Sequence, residues 1–221
     1  MEQSICVKFT SRLIQYDGDC SVPVVWDKKT NTIVNNESSE IIRMLNSEFN
    51  EFCETPAQKE LDLYPEALRS EIDELNSWIY PKINNGVYKS GFATSQEAYD
   101  KAVKDVFEGL DRVEEILSKK RYLTGNSITE ADIRLLTSLL RFDTVYHGYF
   151  KCNKKRIVDY PNMWGYVRDL YGIDGISETV DQEHIQKCYQ LSPRSITPRG
   201  ILAIGPDIDF NAPHNREKLL K

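Results

Sequence analysis

Apolar and polar residues near the start of the chain follow the pattern of a β-hairpin. Residues 22–26 form an apolar run that begins with Val-Pro, residues 27–31 are polar, and residues 32–34 favour a strand again. Two such runs around a polar turn predict two short antiparallel strands. Polar residues 35–40 then lead into four apolar residues between positions 41 and 45, which predicts a helix directly after the second strand.

The start of this predicted helix is a candidate anion site. The first N–H groups of a helix lack partners within it, and the helix dipole adds partial positive charge, so a carboxylate is favoured there. We expect these groups to point toward Val22 and Pro23, with a small anionic ligand between them. A proline at a strand start and Glu37-Ser38 at a helix start are also common structural devices. The spacing alone therefore leaves both interpretations open.

Beyond residue 63 apolar residues recur at the spacing of helices. Residues 49–63 are acidic, and we predict an irregular connection there. Pro65 is predicted to open a helix, because proline is favoured at a first helical position. This helix carries apolar residues three and four apart and is expected to end at residues 84–86, with a loop over residues 88–92.

The longest predicted helix covers residues 95–119. Thr94 and Glu97 precede its apolar positions with the spacing of a capping box. Its buried face is predicted to consist of Ala98, Ala102, Val103, Val106, Leu110, Val113 and Leu117.

A second capping box is predicted at Thr129 and Asp132, where Thr129 is the N-cap and Asp132 the third helical residue. The helix that follows is apolar nearly all round, so we expect it to be buried. We interpret this motif as a folding device and not as a catalytic one.

Composition excludes several classes of partner. The 221 residues suffice for one or two domains, and a net charge of -6 with a pI near 5.2 argues against binding to nucleic acid or an anionic membrane. No run approaches the twenty apolar residues of a membrane-spanning helix, and we see no signal peptide after Met1. The basic run at residues 151–156 is predicted to be a solvated loop.

The five cysteines are scattered, odd in number and form no Cys-x-x-Cys pair. This usage indicates reduced thiols in a cytoplasmic protein. His184 and Cys188 are one helical turn apart, but further ligands are not nearby in the sequence, so we predict no metal site.

Two dipeptides of the predicted hairpin and helix, Val22-Pro23 and Glu37-Ser38, are arranged as in the glutathione-binding half of a glutathione transferase. The longer runs at residues 26–41, 141–153, 160–166 and 196–201 resemble the Xi class of that superfamily, the glutathionyl-hydroquinone reductases. The resemblance extends over most of the chain.

The resemblance implies an α+β fold in two domains. Residues 1–53 correspond to an incomplete thioredoxin-like domain that binds glutathione, and residues 64–221 to an all-helical C-terminal domain with an extended tail. In the family the proline is cis, the backbone of the preceding residue pairs with glutathione, and Glu and Ser at the helix start hold its γ-glutamyl end. The implied glutathione-binding residues are Val22, Pro23, Glu37 and Ser38.

Three tyrosines are implied to bind the second substrate. In the Xi class, tyrosines of the helical domain form hydrogen bonds with the hydroquinone oxygens, and by motif these correspond to Tyr88, Tyr146 and Tyr189. Each also has a purely structural interpretation, because an aromatic side chain in such a segment often packs with its hydroxyl satisfied.

One family motif is absent from the sequence. The Xi-class catalytic thiol lies in a Cys-Pro-Trp motif, which this chain lacks, and we interpret none of the five cysteines, Cys6 and Cys20 included, as catalytic. Residues 5–9 alternate like a strand and residues 16–19 resemble a turn. Either residues 5–9 replace the family's first strand, or the helical domain carries the fold, or the chain is truncated. We expect truncation, because the family pattern begins only after Tyr16.

The implied reaction is thiol exchange on a glutathionyl-hydroquinone, with glutathione as co-substrate and no metal. The alternative function is a non-catalytic helical module that binds glutathione weakly or binds a protein partner. A homodimer through the helical domain is expected from the family resemblance.

Overall fold

The computed structural model describes residues 22–191 and 197–220. The chain divides into two compact units, with the boundary between Leu63 and Tyr64. A small two-stranded sheet belongs to the first unit, and the second unit is helical. The predicted strand at residues 5–9, the turn at 16–19, and Cys6 and Cys20 lie outside the described residues.

The predicted hairpin is confirmed. Strand β1 (Val25–Asp27) pairs antiparallel with β2 (Thr32–Asn35), with Trp26 opposite Ile33. The Asp27 carboxylate accepts hydrogen bonds from the backbone N–H groups of Lys29 and Thr30, at 2.7 and 3.2 Å. An aspartate that binds the backbone two and three residues ahead stabilises a tight turn, which explains why the chain reverses here.

Two α-helices follow in the first unit. Helix α1 (Ser38–Ser47) starts where the polar run predicted it. The connection at residues 49–63 is more regular than predicted, because it contains helix α2 (Pro56–Glu60). Thr55 and Gln58 form a capping box around Pro56 at the first helical position, which is the sequence signal for this short helix.

The helices of the second unit are α3 (Arg69–Ile79), α4 (Gly86–Gly91), α5 (Gln96–Leu117), α6 (Glu130–Arg141), α7 (Pro161–Tyr171) and α8 (Gln182–Leu191). Two of them continue into a single π-helical turn: Tyr80–Asn84 follows α3, and Phe142–Tyr146 follows α6. Pro65 precedes a 3₁₀ turn (Glu66–Leu68) that leads directly into α3. None of the helices in the described ranges is long and apolar enough to cross a membrane.

Three local predictions in this unit are wrong. Residues 88–92 are not a loop, because α4 extends to Gly91. The N-cap of α5 is Ser95 and not Thr94, since the Ser95 hydroxyl accepts from the Ala98 N–H at 3.2 Å. Ala98 is exposed, because it lies in the first turn of α5, ahead of the buried positions.

The core of the second unit forms around α5 and α6. Val106, Leu110, Val113 and Leu117 of α5 are buried as predicted, and Phe107 joins them. Phe107 contacts Phe142 edge to face, with ring centroids 6.3 Å apart. This contact connects the longest helix to the π-helical turn after α6.

Asp132 joins three parts of the helical unit. Its carboxylate is fully buried and accepts from the Thr129 N–H at 2.9 Å, which confirms the predicted cap of α6. It also accepts from the Leu123 N–H at 2.9 Å and from the Tyr166 hydroxyl of α7 at 2.8 Å. Burial raises the pKa of Asp132, while these donors act in the opposite direction.

Candidate functional site

The Val22-Pro23 segment and the start of α1 are joined by a side-chain hydrogen bond. The Val22–Pro23 peptide bond is cis, as the resemblance implied. Asn36 donates from Nδ2 to the Pro23 carbonyl at 2.6 Å, and Glu37 is the N-cap residue of α1. The proline therefore lies beside the helix N-terminus, where the sequence predicted a ligand.

Glu37 and Ser38 are both exposed at this helix start. A carboxylate accepts hydrogen bonds from an ammonium group, while a hydroxyl and the free N–H groups of a first helical turn donate to a carboxylate. An ammonium group and a carboxylate are the two charged groups of a free α-amino acid. The arrangement has the polarity needed to bind such a group, and the neighbouring Val22 is 68% exposed.

The three tyrosines predicted from the sequence meet at their hydroxyl groups. The Tyr189 hydroxyl lies 2.5 Å from that of Tyr88 and 3.1 Å from that of Tyr146. They come from three separate elements, namely α4, the π-helical turn after α6, and α8. We call Tyr88, Tyr146 and Tyr189 the tyrosine cluster.

Phe150 forms the apolar side of the tyrosine cluster. Its buried ring stacks on Tyr146, with centroids 5.3 Å apart and planes inclined by 15°. It also contacts the rings of Tyr88 and Tyr189, at 5.3 and 6.0 Å. The aromatic rings thus hold the three hydroxyl groups in one place, since each ring is packed against the same phenylalanine.

Both π-helical turns help to position the tyrosine cluster. Tyr146 is the last residue of one of them, and Tyr88 follows the other by four residues. In the turn Tyr80–Asn84, Asn84 donates a hydrogen bond to Ser138 Oγ at 2.7 Å. In the turn Phe142–Tyr146, Asp143 accepts one from the Ile157 N–H at 2.6 Å. Single π-helical turns inside helices are frequent at functional sites.

The hydroxyls of Tyr146 and Tyr189 are neutral hydrogen-bonding groups. Burial raises the pKa of Tyr146 far above its ordinary range, and the neighbouring Tyr189 and Tyr88 add to this shift. Burial also raises the pKa of Tyr189, although its hydrogen bond with Tyr146 lowers it. Both side chains are therefore protonated at neutral pH and act as donors or acceptors, and neither acts as a general base.

A count of hydrogens shows what the tyrosine cluster can offer a ligand. Three hydroxyls carry three hydrogens, and the two hydrogen bonds among them use two. Within the described residues, one hydroxyl hydrogen is therefore left without a protein acceptor. Either oxygen of each pair can be the donor, so this hydrogen can lie on any of the three hydroxyls, of which the one on Tyr88 belongs to a residue that is 36% exposed.

Sequence reasoning missed two residues of these sites. Asn36 was treated only as part of a polar helix start, although a side-chain amide next to Glu37 can reach the preceding strand. Phe150 stands four residues after Tyr146 in the same motif, and this helix-like spacing was the available signal. The direction of the Phe150 ring, however, depends on the π-helical turn before it, which the sequence does not reveal.

The described cysteines lie in different environments. Cys152 is fully buried, and burial raises its pKa to about 11, which disfavours the reactive thiolate. Cys53 is half-buried and Cys188 is exposed. Within residues 22–191 and 197–220, no group of three or more His, Cys, Asp or Glu side chains is placed to hold a metal ion.

Comparison with known proteins identifies the family of this chain. The family model for the glutathione S-transferase C-terminal domain matches residues 96–169. The glutathionyl-hydroquinone reductase YqjG of Escherichia coli K12 is 57% identical over 202 residues, which cover 91% of this chain and 60% of the relative. The chain thus spans about 60% of the length of the curated relatives it matches.

Solved structures agree with this assignment. The glutathione-bound structure of YqjG, a glutathione transferase homologue from Escherichia coli K-12, superposes with a TM-score of 0.86 at 56% identity, covering 91% of this chain and 64% of that one. The Xi glutathione transferase of Phanerochaete chrysosporium gives a TM-score of 0.89 at 49% identity, covering 95% and 71%. The chain belongs to the Xi class of the glutathione transferase superfamily.

Proposed function

We propose that this chain acts in the glutathione-dependent reduction of glutathionyl-hydroquinones. In this proposal the tyrosine cluster binds the hydroquinone oxygens, and Val22, Pro23, Glu37 and Ser38 bind the glutathione part. The observation that carries it is the convergence of three hydroxyls from separate elements on one point, at 2.5 and 3.1 Å. The 57% identity to a glutathionyl-hydroquinone reductase supports it independently.

The proposed reaction exchanges thiols. A thiolate attacks the glutathionyl sulfur, the bond from that sulfur to the ring carbon breaks, and the electron pair and a proton pass to the ring carbon. The hydroquinone then leaves. A second glutathione thiolate attacks the resulting mixed disulfide, departs as glutathione disulfide and restores the first thiolate. The proposal assigns the attacking thiolate to none of the five cysteines of this chain, so the purified chain is expected to have reduced activity or none.

Neutral phenols suit the step in which the bond to the ring carbon breaks. When the sulfur-bearing ring carbon takes up its proton first, as in the dienone tautomer of the hydroquinone, the electron pair of the breaking bond enters the π system. Negative charge then develops on a ring oxygen, and a fixed hydroxyl donor stabilises it. Tyr146 and Tyr189 keep their protons at neutral pH because burial raises the pKa of each. The hydroxyl hydrogen left over within the tyrosine cluster is the proposed donor.

The test compares the binding of two ligands to the purified chain by isothermal titration calorimetry. A glutathionyl-hydroquinone should bind about tenfold more tightly than glutathione, because the ring adds apolar contact and hydrogen bonds. Equal affinity for the two ligands would contradict the proposed role of the tyrosine cluster. Chromatography of the same mixtures with added glutathione measures whether hydroquinone and glutathione disulfide appear in equal amounts.

The second candidate is a binding module without turnover. It is favoured by the environment of Cys152, whose thiol is buried with a raised pKa, and by the lack of a Cys-Pro-Trp motif in this sequence. The two candidates differ in binding, because only the first predicts a preference for the glutathionyl-hydroquinone over glutathione. Retention of the chain on immobilised glutathione without that preference and without turnover, or a stable complex with another protein, would favour the module.

The proposal includes a homodimer in the cytoplasm. The family resemblance suggests assembly through the helical unit, and free Cys53, Cys152 and Cys188 fit a reducing compartment. Light scattering coupled to size-exclusion chromatography should give a mass near twice 25.6 kDa. A mass of one chain at micromolar concentration would contradict the dimer.

A further inference from the structure

Arg141 is the last residue of α6 and directly precedes the π-helical turn that ends at Tyr146. The proposed function gives it no role. Its Nη1 donates to the Thr137 carbonyl at 2.6 Å, and within the described residues its side chain forms no ion pair. A guanidinium carries several N–H donors and a permanent positive charge. Arg141 thus keeps both its charge and most of its donors.

The segment that leads to Tyr88 runs along one face of α6. Three pairs of side chains meet there, each pair four residues further along both segments. The contacts, in chain order, are Asn76 Nδ2 with Glu130 Oε1 at 3.1 Å, the Tyr80 ring with the Arg134 guanidinium at 6.0 Å, and Asn84 Nδ2 with Ser138 Oγ at 2.7 Å.

The next step along this face brings Arg141 beside Tyr88. Positions 130, 134, 138 and 141 follow one another at spacings of four and three, which keeps them on one face of a helix. In the partner segment, Tyr88 follows Asn84 by four residues. Arg141 therefore lies at the level of Tyr88, next to the tyrosine cluster.

Helix α8 brings Tyr189 to the same end of α6. Gln182, its first residue, donates from Nε2 to the Leu140 carbonyl at 3.3 Å and accepts from the Thr144 hydroxyl at 3.2 Å. Tyr189 follows Gln182 by seven residues, so both lie on one face of α8. Burial raises the pKa of Tyr189, while the positive charge of Arg141 lowers it. Two separate elements thus place tyrosine hydroxyls within electrostatic range of this guanidinium.

The other charged groups beside the tyrosine cluster have partners. The Asp143 carboxylate accepts from two backbone N–H groups at 2.6 and 3.1 Å, and His147 interacts electrostatically with the same carboxylate. Lys89 donates to a backbone carbonyl at 3.4 Å, and Lys187 forms an ion pair with Glu183. The guanidinium at the end of α6 therefore adds positive charge that no carboxylate of the described residues offsets.

We propose that Arg141 acts through the tyrosine cluster to favour negative charge on the ligand oxygen that the three hydroxyls bind. This inference rests on the proposed function, because it requires a phenolic oxygen at the tyrosine cluster. The positive charge strengthens the Tyr189 O–H as a donor, and a hydrogen bond to an ionised acceptor is about twice as strong as a neutral one. The tyrosine cluster then prefers a phenolate to a phenol.

The test uses S-(4-hydroxy-3-nitrophenyl)glutathione, whose nitro group makes the ring hydroxyl acidic and its phenolate visible by absorbance. Binding to excess wild-type chain should lower the pKa of this hydroxyl by about one unit, a tenfold preference for the phenolate. Arg141→Gln should lose most of this preference, and Arg141→Lys, which keeps the charge, should retain a larger part of it. Circular dichroism verifies that the variants fold.

Lys101→Gln is the control for net charge. Lys101 is an exposed cation of α5, so its loss changes the total charge of the chain by the same amount. This variant should keep the full preference for the phenolate. Equal losses in Arg141→Gln and Lys101→Gln, or in Arg141→Gln and Arg141→Lys, would overturn the proposal, because the local charge would not be the cause.

S-phenylglutathione separates this inference from the proposed function, since it has no ring oxygen. Equal affinity of the wild-type chain for the two conjugates would overturn the proposed role of the tyrosine cluster, and the inference with it. A wild-type preference for the hydroxyl-bearing conjugate would keep that role. The Arg141 inference alone would then be overturned if binding left the pKa of the ligand unchanged, or if Arg141→Gln kept the wild-type pKa.

Discussion

At the scale of single residues, the most consequential polar group is Asp132. Its buried carboxylate accepts hydrogen bonds from Thr129, Leu123 and Tyr166, which belong to a cap, a loop and a neighbouring helix. The sequence motif predicted only the first of these. The bond from Leu123 depends on the path of the loop before α6, and the bond from Tyr166 on the packing of α7 on α6, and no local pattern encodes either.

Asp132→Ala should lower the free energy of unfolding by about 3 kcal/mol or more, because several buried donors lose their acceptor together. Urea denaturation followed by circular dichroism measures the change. Asp174→Ala is the control, since Asp174 is exposed, and it should stay within about 0.5 kcal/mol of wild type. A similar effect in both variants would contradict the role of the buried carboxylate.

Cys152 and Cys188 should differ strongly in reactivity. With the pKa of Cys152 raised to about 11 by burial, only about one thiol in a thousand is ionised at pH 8, and the side chain is also inaccessible. Iodoacetamide should therefore alkylate exposed Cys188 in the native protein and leave Cys152 unmodified. Peptide mass spectrometry of timed samples gives the two rates. Equal labelling of both cysteines without denaturant would show that Cys152 is not protected.

At the scale of elements, the regular spacing of apolar residues predicted the long helices α5 and α6 well. It did not predict the short helix α4. Helix α4 was predicted as a loop because its six residues include two glycines. The two π-helical turns have no sequence signature separate from that of an α-helix, so neither was foreseen. They matter for the site, since Tyr146 ends one of them and Tyr88 follows the other by four residues.

The cap of α5 offers a direct comparison between prediction and structure. Ser95→Ala should destabilise the protein by about 1 kcal/mol, because the Ala98 N–H loses its acceptor. Thr94→Ala should have little effect, although the sequence favoured Thr94 as the cap. Thermal unfolding of the two variants separates them. A larger loss for Thr94→Ala would show that the helix begins one residue earlier.

Gly91 should be essential for the tyrosine cluster. A Cβ atom at this position would lie 2.2 Å from the Phe150 ring, so Gly91→Ala must displace the ring on which Tyr146 stacks. We expect a loss of about 1 to 3 kcal/mol in unfolding free energy, the usual cost of overpacking. Gly148→Ala is the control, because no atom lies within 4 Å of its Cβ position. Urea denaturation of both variants tests this difference.

At the scale of the whole molecule, the family and the helical architecture could be predicted from motifs spread over the chain. The residues of the tyrosine cluster were also named in advance, but only by resemblance, since Tyr88 and Tyr189 are 101 positions apart. Their meeting point depends on how α4, α8 and a π-helical turn pack together.

The central claim is that the tyrosine cluster binds hydroquinone oxygens, and Tyr189 is its middle member. The most direct measurement compares the affinity of a glutathionyl-hydroquinone with that of S-phenylglutathione, which has no ring oxygen to accept a hydrogen bond. Wild-type protein should prefer the hydroquinone by about tenfold, and Tyr189→Phe should lose most of this preference. Tyr171→Phe, which changes a tyrosine stacked on Phe210, should keep it. An unchanged preference in Tyr189→Phe would contradict the account.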